Sequence, residues 1–278
     1  MRAMRFAICN ETFGDWPFDK AFGFAAECGY TGIEIAPFTL AADARKITAV
    51  RRDEVRRLAA AEALEVVGLH WLLAKTSGFH LTSPEAETRR CTAAYVQDLA
   101  RLCRDLGGSR MIFGSPQQRS VLPGVTPEQA LDYAAEVVTD SLGVFEQTGV
   151  TLCIEPLAPP EDSFLNTAAD AVRLIEKIGH PQCRLILDCK AMSSEAVPIP
   201  ELIRRHHSLL AHFHANDPNL QGPGFGKLDF APIFAALGEV DYRGWVSVEV
   251  FDYTPGVERL ASESIKYMRR TAAEVAQS

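Results

Sequence analysis

The chain has 278 residues, 47% of them apolar and 23% charged, and carries a net charge of −8 at neutral pH. That composition fits an ordinary globular protein and excludes a general nucleic-acid binder, which needs concentrated Lys and Arg against phosphate. No apolar run approaches the roughly 18–20 residues of a membrane span, and the N-terminal MRAMRFAICNETF has no signal-peptide apolar core.

Strand and helix signals alternate from end to end. The strand-like runs are Arg5–Phe13, Gly32–Pro37, Val66–Leu73, Ser109–Ser115, Val150–Leu157, Arg184–Asp188, Leu209–Asn216 and Trp245–Phe251. Between them lie helical patterns with recognisable starts. Ser83-Pro84-Glu85 opens a helix that should end near Leu106, where Gly107 supplies a stop. Thr126-Pro127-Glu128 opens another running towards Gln147, with Thr as N-cap and Pro at the first helical position. Eight such units without a Pro/Gly/Ser-rich linker predict one (β/α)8 barrel over residues 1–278. A doubly wound open sheet is the main competitor, but no GxGxxG follows the first strand. The seven cysteines are scattered and form no CxxC pair, which fits reduced thiols in the cytoplasm.

Active sites of such barrels lie at the C-terminal ends of the strands. That end should hold Glu34, His70, Ser115, Glu155, Asp188, His214 and Glu249. Alternation sharpens the reading: Cys153 faces inward with Glu155, and Ser247 with Glu249, while the intervening branched residues face the helices. Glu155, Asp188, His214 and Glu249 follow one another at spacings of 33, 26 and 35, about one strand-helix unit each. Three carboxylates and an imidazole without thiolate suit a divalent cation such as Mn²⁺, Mg²⁺, Co²⁺ or Zn²⁺. A cation can hold both oxygens of a hydroxy-ketone and acidify the adjacent C–H, leaving Glu155 and Glu249 to remove and return a proton.

Other residues are open to two readings. His70 is either an active-site imidazole or a hydrogen-bonded core histidine. Glu34 either orients it or is a buried structural carboxylate. Trp16 either walls an apolar side of the pocket or, with Pro17, belongs to a helix start. The glycine-rich NLQGPGFG loop, residues 219–226, could shape a lid or approach a phosphate.

These residues resemble those of the xylose isomerase-like barrel superfamily, the sugar phosphate isomerase/epimerase group. The stretch IEPLAPPEDSFLNTA is similar to a ketose 3-epimerase pattern. The resemblance implies Glu155 as ligand and base, Glu161 as a substrate contact, Asn166 in the motif's Asn slot, Asp188 as bridging metal ligand, His214 as ligand and Glu249 as the second catalytic Glu. Ala191 stands where that family has a histidine, and Leu220 where it has an arginine; Lys190, Gln221, Arg119 or Lys227 could supply the missing contacts. Glu161, His70, Glu34, Ser115, Lys190 and Trp16 are thus the expected substrate contacts. The expected activity is isomerisation or epimerisation of a small carbohydrate hydroxy-ketone through an enediolate, with one divalent cation, Mn²⁺ first. A lyase or dehydratase on a keto-sugar or keto-inositol would use the same enolate chemistry. Abasic-site endonuclease activity, found in the same superfamily, needs further histidines that Ala191 and the surroundings of Asp229 do not provide. Barrels of this kind often form homo-oligomers, although no residue pattern here demonstrates one.

Overall fold

A computed structural model of the protein describes residues 4–277. Eight parallel strands close into a barrel in chain order: β1 (Arg5–Cys9), β2 (Gly32–Ile35), β3 (Glu65–Leu69), β4 (Arg110–Phe113), β5 (Thr151–Ile154), β6 (Cys183–Asp188), β7 (Leu210–Ala215) and β8 (Trp245–Val248). The helices are α1 (Phe18–Cys28), α2 (Ala49–Ala61), α3 (Ala86–Leu106), α4 (Pro127–Thr139), α5 (Leu142–Thr148), α6 (Ala168–Ile178), α7 (Cys189–Met192), α8 (Ile199–His206), α9 (Ala231–Glu239) and α10 (Val257–Gln277). The expected (β/α)8 barrel is what forms. Among the described residues, no helix is long and apolar enough to cross a membrane.

The alternation predicted for the strands holds. Ala7, Val67 and Trp245 fill one interior layer, and Ile112, Cys153 and Ile186 another. Ile154, Val246, Val248 and Val250 join the larger core between sheet and helices. The polar residues Glu34, Glu155, Asp188, His212, His214 and Glu249 are all buried. They occupy inward positions towards the strands' C-terminal ends, with His212 one layer deeper than His214, so sequence parity delivers them to one place.

Three local expectations need correction. The first strand stops at Cys9 and turns into a 3-10 segment, Asn10–Phe13. There the Asn10 side chain accepts from the Ala36 amide (2.7 Å) and donates to Thr39 (2.9 Å), tying the end of β1 to the turn after β2 in place of further ladder bonds. The helix expected to run unbroken towards Gln147 divides between α4 and α5. The buried Ser141 hydroxyl donates back to the Val137 carbonyl (3.0 Å), a local bond that competes with helix continuation. α3 begins at Ala86 and not at the Ser-Pro-Glu signal; Ser83 accepts from the Glu85 amide (3.2 Å) within the preceding turn. The Thr126 start is found as predicted, with Thr126 and Gln129 forming a reciprocal capping box.

Candidate active site

Glu155, Asp188, His214 and Glu249 converge: one ligand atom from each can be chosen so that all lie within 4.8 Å of one another. Each comes from the end of its own strand. Glu155 follows β5, and its backbone is pinned by a fully buried arginine. Arg119 donates through Nη1 to the carbonyls of Phe113 (3.0 Å) and Glu155 (2.6 Å), and through Nη2 to that of Phe164 (2.8 Å). Its Nε lies 2.8 Å from Asp162, off the line of a hydrogen bond, so that contact is chiefly one of charge. Gly114, on the loop after β4, is required here because a Cβ at this position would run into the Glu155 carboxylate. Asp188 ends β6 and caps α7, accepting from the Ala191 amide (2.8 Å) and from Asn216 Nδ2 (2.6 Å). Asn216 also accepts from the Lys190 amide (2.8 Å), so one amide side chain locks the ends of β6 and β7 together.

His214 is oriented from below. Its Nε2 lies 3.3 Å from Glu34, whose other oxygen holds His212 Nε2 at 2.6 Å. With Nε2–H directed at Glu34, Nδ1 points at the carboxylates, 3.1 Å from Glu249 and 3.6 Å from Glu155, without a hydrogen bond. Burial opposes a charged imidazole, but Glu249 and Glu34 outweigh it and hold the His214 pKa well above the usual histidine range. The four side chains could hold a divalent cation: an orphaned Nδ1 beside buried carboxylates, with a carboxylate fixing the opposite ring nitrogen, is a donor set suited to one. Burial also raises Glu155 to about 7, with the Glu249 charge adding to it against the pull of His214. Burial acts on Glu249 too, yet the His214 charge prevails and lowers it. Two neighbouring carboxyls are thus driven apart.

Above the ligands, Trp71, Gly114, Leu157, Glu161, Lys190 and Phe251 line a cavity of about 30 Å³. Lys190 reaches Glu161 (2.6 Å) and places its ammonium 3.9 Å above the Phe251 ring. Of the expected substrate contacts, Glu161 and Lys190 line this space, while Trp16 lines a separate, larger cavity and precedes α1. Three take other places. Ser115 is fully buried and accepts from the Leu73 amide (3.1 Å), joining two loops behind the cavity wall. Glu34 serves His212 and His214 and lies 3.9 Å from His70, too far to orient it by a hydrogen bond. His70 is fully buried and pairs at 2.5 Å with Glu11.

Arg119, weighed above as a replacement sugar contact, is spent on backbone carbonyls, and Gln221 donates to Asp252 (2.7 Å). Asn166 donates to the carbonyls of Leu157 and Asp162, both at 2.9 Å, closing the loop that follows Glu155. In the glycine-rich loop Gly222 and Gly224 pack against Ser264 and Tyr267 of α10, and Gly226 against the Asp217 carboxylate.

Sequence reading missed Glu11, Asn216, Gly114, Trp71 and Phe251. Two carried a signal. Glu11 lies two positions beyond the inward Cys9, and Asn216 two beyond His214. Nothing in the local pattern marks Gly114.

The chain is similar to several known proteins. The 3-dehydro-D-guloside 4-epimerase of Escherichia coli (strain K12) is 35% identical over 132 residues, 46% of this chain and 50% of that protein. The D-psicose 3-epimerase of Agrobacterium fabrum is 34% identical over 131 residues, 46% of this chain and 45% of that protein. The chain thus matches about half the length of each. The crystal structure of D-psicose 3-epimerase with D-tagatose from Clostridium cellulolyticum H10 superposes with a TM-score of 0.80 over 99% of this chain and 97% of that one, at 21% identity, a likeness of fold. The family described as xylose isomerase-like TIM barrel matches residues 22–271, and the chain belongs to that family.

Proposed function

We propose that the protein is a divalent-cation-dependent epimerase or isomerase of a sugar hydroxy-ketone, moving a proton between carbons through an enediolate. The observation that carries this reading is the convergence of Glu155, Asp188, Glu249 and the free Nδ1 of His214 on one point at the C-terminal end of the barrel. Relatives named as sugar epimerases support it. Glu155, Asp188, His214 and Glu249 would hold the cation, which supplies charge stabilisation for the developing oxyanion. Mn²⁺ suits these oxygen and nitrogen donors, with Mg²⁺, Co²⁺ and Zn²⁺ as the other fits.

The protein's own groups then divide the proton work. One of Glu155 and Glu249 removes the hydrogen next to the carbonyl, and the other returns one on the same face or the opposite one. Lys190 and Glu161, paired over the carboxylates, face the substrate hydroxyls, and the sidewalls Trp71 and Phe251 keep water from the enediolate. Seven unpaired thiols support a reducing, cytoplasmic setting.

The test is solvent deuterium incorporation into D-fructose, D-psicose, D-tagatose and D-sorbose in D₂O, followed by NMR before and after chelation and Mn²⁺ reloading. Exchange next to the carbonyl that is lost on chelation and restored by Mn²⁺ is expected. No exchange in any ketose would overturn the reading, and exchange accompanied by loss of a β-oxygen would replace it with the lyase.

A further inference from the structure

A second set of metal-ligating side chains stands beside the first. Cys9, Glu11, His70 and Glu249 can each offer one ligand atom such that all lie within 4.8 Å of one another. The fold places them as it places the first set. Cys9 is the last residue of β1, and the register pairs Ile8 with Val248 on the neighbouring β8. Cys9 and Glu249, the next residue on each, therefore end those two strands side by side. Glu11 follows in the 3-10 turn that Asn10 ties to the segment after β2, and His70 is the first residue beyond β3. Glu249 belongs to both sets; Cys9, Glu11 and His70 do not belong to the first.

Unused polar capacity at this place points to a ligand. Glu11 Oε1 and His70 Nδ1 are buried and have no hydrogen-bond partner among the described residues. The His70 side chain is fully enclosed, and that of Glu11 is only 10% exposed. Their remaining atoms face each other, with His70 Nε2 2.5 Å from Glu11 Oε2. Buried polar atoms ordinarily find partners, so an imidazole and a carboxylate that each keep one end unsatisfied call for an explanation. A competing set, Cys9 with Glu34 and His214, lacks this feature. Both Glu34 oxygens are engaged there, one by His212 (2.6 Å) and the other by His214 (3.3 Å).

The donors differ in kind from those of the first set. One sulfur, one nitrogen and two carboxylates suit Zn²⁺ or Co²⁺, which accept thiolate, better than Mn²⁺ or Mg²⁺, which prefer oxygen. Four side chains also match the tetrahedral coordination of Zn²⁺. We propose that Cys9, Glu11, His70 and Glu249 form a second cation site, selective for Zn²⁺ and bridged through Glu249 to the centre of Glu155, Asp188 and His214. One Glu249 oxygen serves each cation. Binding releases to solvent the Cys9 thiol proton and the proton that joins Glu11 to His70. The site depends on the cation centre proposed above only through the shared Glu249.

The test titrates the full chain, freed of metal by chelation, with Co²⁺, which fits both donor sets. Equilibrium dialysis counts bound metal, and near-ultraviolet absorption reads the thiolate-to-cobalt charge-transfer band, which the sulfur-free first set cannot produce. Two Co²⁺ per chain and the band are expected. Cys9→Ser and Glu11→Gln should each lose the band and one equivalent; Asp188→Asn should keep the band and lose the other. Zn²⁺ should abolish the band by displacement, and the same concentration of Mn²⁺ should not. Thermal melts establish that each variant is folded, and either Cys9→Ser or Glu11→Gln alone suffices. A band that survives both folded variants, or a single Co²⁺ per chain without the band, overturns the second site and leaves the first centre standing. A single Co²⁺ with the band overturns the bridged pair and the first centre with it, and no bound Co²⁺ removes both sites.

Discussion

Arg119→Met tests how the Glu155 segment is held. The arginine side chain and the Asp162 side chain facing it are both fully buried, with Nε and Oδ2 2.8 Å apart, and the guanidinium serves three main-chain carbonyls. Methionine fills the stem volume but leaves Asp162 as an uncompensated buried charge and strips the Phe113, Glu155 and Phe164 carbonyls of a donor. Breaking a buried pair from one side costs about 3–5 kcal/mol, a large share of the roughly 5–15 kcal/mol that holds a typical domain together. A loss near 4 kcal/mol lowers the melting midpoint by about 10 °C in a domain of this size. Urea unfolding should show the midpoint falling with the slope unchanged. The double variant Arg119→Met/Asp162→Leu should recover part of the loss, because both charges are then gone. A single-variant loss below about 1 kcal/mol, or a double variant whose cost is the sum of the parts, would refute the idea that this pair clamps the Glu155 segment.

Other outcomes follow from the same geometry. Glu155→Gln and Glu249→Gln should each reduce deuterium exchange into ketoses by about 10²–10⁴-fold in folded protein; unreduced exchange in both would rule out the two-base scheme. Mn²⁺ affinity, measured by titration calorimetry from pH 5.5 to 8, should climb more steeply below pH 7 than above it. Below about 7 the cation displaces the Glu155 proton as well as that of His214, and above it only the His214 proton remains; an affinity independent of pH would contradict this. Gly114→Ala should cut turnover at least tenfold with little change in melting temperature, since its methyl displaces the Glu155 carboxylate, and a displacement near 1 Å can cost about 10²-fold. Wild-type turnover in that variant would show that the carboxylate has room to move.

Much of this protein is written in local patterns. Strand-helix alternation determines the barrel, and period-two alternation in β5 and β8 places Glu155 and Glu249 inward, because a strand's side chains have only two directions. Four such residues at unit spacing then converge of necessity, since consecutive strands are neighbours in a closed barrel. The surroundings of those residues were a different matter. Arg119 has the same charge whether it reaches a sugar or three carbonyls, and only the path of the loops after β4 and β5 decides for the carbonyls. Glu34 ends its strand as a ligand would, yet the stagger between β2 and β7 sets it beneath His214 and His212. Glu11 and His70, 59 residues apart, meet because the chain turns at Asn10 instead of continuing as strand. Identity and direction of a side chain are local properties, legible residue by residue. Partnership across the barrel depends on register and loop path, which arise only when all eight strands close.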